Sequence, residues 1–107
     1  MTKFTSCFAI ALTLAAAVSS ANAQAVGEPK EGLAVAQQVC AECHATVVGQ
    51  DRSPNAQAPT FVKLAATPGM TRTALLVALT TPHAGMPMFM LADKQRDDII
   101  AYILSLH

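Results

Sequence analysis

The chain has no tryptophan, one tyrosine and four phenylalanines, so an aromatic-rich core is excluded. Charge is sparse as well: Asp, Glu, Lys and Arg make up 13% of the residues and balance to zero. Lys and Arg are nowhere clustered, which excludes a nucleic-acid-binding surface. The apolar run from Phe8 to Val18 has 11 residues, well short of the ~20 needed to cross a bilayer. Strand-type runs are missing, and so is any Gly/Ser linker or internal repeat. A chain of 107 residues has room for one domain.

The opening segment has a different character. Lys3 precedes the apolar run, and the run is followed by Ala21-Asn22-Ala23. A short positive start, an apolar middle and a small-x-small end make a secretory signal peptide. Residues 1–23 are therefore expected to be cleaved after Ala23, exporting a mature domain of residues 24–107 with no transmembrane anchor. That domain keeps three aromatic residues, Phe61, Phe89 and Tyr102, and carries six basic residues against seven acidic ones. A domain this small buries little apolar area and commonly leans on a staple, a metal or a cofactor.

Cys7 belongs to the segment expected to be removed, which leaves Cys40 and Cys43 in Cys40-Ala41-Glu42-Cys43-His44. In an exported protein, C-x-x-C-H reads as a haem attachment site. Positions three and four apart share one helix face, so both sulfurs and the imidazole can address one flat ligand. Each sulfur can bond a vinyl group while His44 reaches the iron. A redox-active C-x-x-C would sit beside a βαβ pattern, which is missing. A zinc site needs further ligands, and only His83 and His107 are to hand. A disulfide closing two residues would add little stability.

Helical periodicity marks three segments. Pro29 to Val39 leads into the motif with Leu33, Ala36, Val39 and Cys40 on one face, and Gly32 within it hints at a close helix crossing. Val47 to Pro59 is polar, turn-rich loop. Thr71 is a good N-cap for a short helix over Arg72 to Leu79, which Thr81-Pro82 stops. Asp93 to Leu106 is the clearest helix, with Ile99, Tyr102, Ile103 and Leu106 spaced as a buried face. The expected fold class is all-α.

Ala84-Gly85-Met86-Pro87-Met88-Phe89-Met90 lies between the last two helices. A thioether is a soft ligand suited to haem iron. Met86 precedes proline, which favours an extended backbone able to push the side chain toward an open haem face. In an extended strap Met86, Met88 and Met90 point the same way, so periodicity does not choose among them, and Met70 and His83 remain candidates.

On these residues the sequence resembles the class I monohaem c-type cytochromes, small exported bacterial electron carriers. The likeness runs from Gly32 through the Cys40–His44 motif and Ala58-Pro59-Thr60-Phe61 to Met86-Pro87 and Asp98-Ile99-Ile100-Ala101-Tyr102-Ile103-Leu104. It implies a small cytochrome c-like fold of three to four helices around one covalent haem c, with the terminal helices crossing at Gly32 and the Tyr102 face. It implies thioethers at Cys40 and Cys43, His44 as proximal iron ligand and Met86 as distal ligand. It also implies that the Pro59 carbonyl accepts a hydrogen bond from the second nitrogen of His44. Two features depart from the family pattern. Ala92 stands where the last helix is often capped by Ser or Thr, leaving Asp93 to serve, and the ring of lysines found in some members is missing.

The expected function is a periplasmic, non-enzymatic single-electron carrier with a redox donor and acceptor, docking near Met88 and Phe89. The rivals are an electron-transfer subunit held by a dehydrogenase, and a haem peroxidase or gas-binding protein with an open sixth site.

Overall fold

A computed structural model describes residues 26–107. The expected signal peptide, residues 1–23, lies outside the described residues. Four helices follow in order: α1 (Pro29–Val39), α2 (Phe61–Ala65), α3 (Arg72–Thr80) and α4 (Asp93–Leu104). Among the described residues there is no strand, only an isolated bridge between His83 and Met86. The fold is all-α.

α1 and α4 cross where α1 has no side chain. A Cβ at Gly32 would overlap the Asp98 backbone carbonyl and lie 2.8 Å from the Tyr102 Cβ, so glycine is what lets the two backbones meet. α4 buries Ile99, Ile100, Tyr102 and Ile103, which join Ala36, Cys40, Phe61 and Leu75 in the core. Its Asp98 carboxylate is buried too, and it is fully engaged. Oδ1 accepts from the Glu28 N–H at 2.8 Å, just ahead of α1, and Oδ2 accepts from Lys94 Nζ at 2.7 Å. Arg72 donates to Asp97, tying the start of α3 to α4.

Local chemistry sets the helix starts. Thr60 Oγ1 accepts from the Lys63 N–H at 3.1 Å, and Thr71 Oγ1 accepts from the Ala74 N–H at 3.1 Å. Ala92 has no side-chain oxygen to cap α4, and Asp93 does not take over that task. Asp93 instead pairs with Arg96 at 2.6 Å, while Gln95 Oε1 reaches back to accept from the Ala92 N–H at 3.0 Å. Helix α2 is the element that periodicity does not reveal. Its five residues are fewer than two turns, too short for an apolar stripe to repeat. α4 ends at Leu104, two residues earlier than its apolar spacing suggests, with Ser105 as C-cap.

Candidate functional site

α1 stops at Val39, and the motif continues as one further turn. The Cys40 N–H still reaches the Ala36 carbonyl at 2.8 Å. The Cys43 and His44 N–H groups then both donate to the Cys40 carbonyl, at 3.2 and 2.9 Å. This turn brings Cys40, Cys43 and His44 to the wall of one cavity of about 730 Å³. Both thiols are free. Cys40 is buried, and that burial pushes its thiol up to about 11, so it stays protonated at neutral pH.

His44 is held from two sides. Its Nδ1 lies 2.7 Å from the Pro59 carbonyl oxygen. A carbonyl can only accept, so Nδ1 carries the proton and Nε2 keeps a free lone pair. The Phe61 ring packs against the imidazole with centroids 5.5 Å apart, and Tyr102 packs behind Phe61 at 6.3 Å. The Tyr102 hydroxyl donates to the Thr46 carbonyl at 2.5 Å, and desolvation pushes its pKa above the usual phenol value. The loop that supplies Pro59 is pinned to the motif by three bonds. The Ala45 N–H donates to Ser53 Oγ at 2.9 Å, the Asn55 N–H to the Cys43 carbonyl at 3.1 Å, and the Phe61 N–H to the Ala45 carbonyl at 2.9 Å. The Ser53 tie was not legible in the sequence, where Ser53 is one polar loop residue among many.

The segment 83–90 forms another part of the cavity wall. Gly85, at φ 78°, turns the chain, and the Met86 N–H closes onto the His83 carbonyl at 3.3 Å. Met86 is half-buried and lines the cavity, together with His83, Pro87 and Phe89. Met88 and Met90 do not line it and are 49% and 100% exposed. Met70 lines it from the α2–α3 connection. The remaining wall is largely aliphatic, with Leu64, Leu75, Leu79, Ile99 and Ile103. Glu42 is the sole charged carboxylate of the lining, and no Lys or Arg belongs to it. The five residues singled out from the sequence, Cys40, Cys43, His44, Pro59 and Met86, thus share one cavity.

Its volume is in the range of cofactor pockets. Among the described residues no three His, Cys, Asp or Glu side chains converge as a bare metal site. An imidazole with a free Nε2 and a thioether in one apolar slot suit an ion that brings its own equatorial ligands, and the paired thiols suit covalent anchorage of those ligands. The donor set fits a haem.

Residues 27–103 match the family model described as cytochrome C oxidase, cbb3-type, subunit III. No curated protein and no solved structure matches the chain.

Proposed function

The chain belongs to the family described as cytochrome C oxidase, cbb3-type, subunit III, and from that premise we propose that it is an exported carrier of single electrons holding one haem c. A cytochrome c domain of this kind binds haem c covalently and serves electron transfer. In the proposed assignment Cys40 and Cys43 hold the haem through thioethers, His44 is the proximal iron ligand and Met86 the distal one. The observation that carries it is the gathering of these four side chains around a single apolar cavity.

When bound, the haem supplies a reversible Fe(III)/Fe(II) couple. The chain's own residues do the rest. The Pro59 carbonyl fixes the His44 tautomer, which leaves the Nε2 lone pair free to hold the iron, and Phe61 keeps the ring from turning. Leu75, Ile99 and Ile103 line the cavity and would keep water from a haem held there, which would favour the less charged Fe(II) state. With His44 and Met86 both committed, no iron position would stay open for substrate. That separates a carrier from a peroxidase or gas-binding protein, which would need an open site and a distal acid–base pair.

Export follows from the reading of residues 1–23 as a signal peptide cleaved after Ala23. Among the described residues no helix is long and apolar enough to cross a membrane. The family description names an oxidase subunit, and Met88, Phe89 and Met90 are exposed beside the cavity. These favour a second reading, in which the chain passes electrons as a subunit of a larger redox complex. Co-purification of a stable partner at stoichiometric yield separates that reading from a transient shuttle.

The test of haem attachment is direct. The chain is expressed with haem-attachment machinery, and intact mass is measured on the exported fraction after acidic solvent extraction. The proposal predicts one haem retained per chain, with cleavage after Ala23. Cys40→Ser together with Cys43→Ser should release it. Retention in the double variant, or an extractable haem in the wild type, contradicts the assignment.

A further inference from the structure

The turn at residues 83–86 carries a contact that ligation by Met86 does not itself require. The chain reverses at Gly85 and brings the His83 ring onto the Met86 side chain, with Nε2 2.9 Å from the thioether sulfur. A thioether sulfur offers only lone pairs. A bare Nε2 would set lone pair against lone pair at that distance, so the favoured tautomer carries its proton on Nε2 and donates it to sulfur. Nδ1 lies 3.3 Å from the Thr81 carbonyl, which also only accepts, but that contact is the longer of the two and belongs to an exposed ring where water can come between them, so the closer contact to sulfur takes the proton. The sulfur has a second lone pair, which the bond to His83 leaves free.

We propose that His83 is a positioning residue for Met86, donating Nε2–H to the thioether and thereby raising the reduction potential of the iron that Met86 ligates. This rests on the assignment of Met86 as distal ligand. A hydrogen bond draws electron density from the sulfur and makes it a poorer donor. Fe(III) loses more by that than Fe(II), so the couple shifts toward the reduced form. The same bond limits the torsional freedom of a flexible, unbranched side chain.

The experiment uses the haem-loaded full chain with His83→Phe, His83→Gln and Met86→Ala. For each, the reduction potential is measured by spectroelectrochemistry at one pH, together with the weak sulfur-to-iron band at the red end of the spectrum. His83→Phe keeps a ring and loses the donor. It is expected to retain the band and to shift the couple roughly threefold toward Fe(III), the scale of one modest hydrogen bond. Gln, which retains an N–H donor, should restore part of the shift. Loss of the band in His83→Phe as well as in Met86→Ala overturns the inference, because the sulfur then leaves the iron rather than being tuned on it. With the band present, an unchanged potential in His83→Phe, or a Gln variant no different from Phe, overturns the inference and leaves the Met86 assignment standing. A band absent from the wild type, or lost in His83→Phe but kept in Met86→Ala, overturns both.

Discussion

His44 shows how much a single carbonyl can decide. With Pro59 accepting from Nδ1 at 2.7 Å, the imidazole has one tautomer and one free nitrogen, and Phe61 blocks rotation about the remaining torsion. Phe61→Ala should therefore loosen the ring as well as open the core. The expected cost is about 3–4 kcal/mol in denaturant unfolding, with a broadened ligand-field spectrum. At Asp98 the Lys94 ammonium, and then the Glu28 N–H, hold the carboxyl below the usual carboxylate range. A depressed folded value stabilises the protein above the unfolded value of about 4 and ceases to do so as pH falls through the folded one. Asp98→Ala should cost about 2 kcal/mol at neutral pH, and the gap from wild type should shrink as acid protonates the carboxylate. Urea midpoints of both proteins between neutral and strongly acidic pH check this. A gap that is constant with pH contradicts it.

Among the elements, the crossing of α1 and α4 governs the rest, because α4 supplies both the Tyr102 that backs Phe61 and the Ile99 and Ile103 that line the cavity. Gly32→Ala places a methyl against the Asp98 carbonyl, where backbone must give way. A loss of about 2 kcal/mol or more is expected, read as a lowered urea midpoint with unchanged slope. The crossing was legible in the sequence because Gly32 interrupts an otherwise helical pattern and α4 carries a clean apolar spacing. Helix α2 was not, since Thr60 caps it locally but five residues show no period. The methionine strap was half legible. A period of two treats Met86, Met88 and Met90 alike, whereas in the structure Met86, Pro87 and Phe89 line the cavity and Met88 and Met90 are exposed, so the period fails between Met86 and Met88. The cap of α4 went to Gln95, because Asp93 is drawn to Arg96 on the same helix face.

For the molecule as a whole, all four helices, the motif turn, the loop ending at Pro59 and the strap at 83–89 line a space of about 730 Å³ with a largely aliphatic wall, which a small chain does not fill with its own side chains. The chain without haem should accordingly show weakened near-ultraviolet circular dichroism and bind a hydrophobic dye, with covalent haem restoring packing. The even balance of charge and the lack of Lys and Arg in the cavity lining predict association with redox partners that changes little between low and high salt. Stopped-flow electron-transfer rates over a range of ionic strength measure it. Whether one haem sits between His44 and Met86 is read from the optical spectrum of the oxidised, haem-loaded protein. A sulfur-to-iron band should survive Met88→Ala and disappear in Met86→Ala. A band that survives Met86→Ala, or none in the wild type, would contradict that placement.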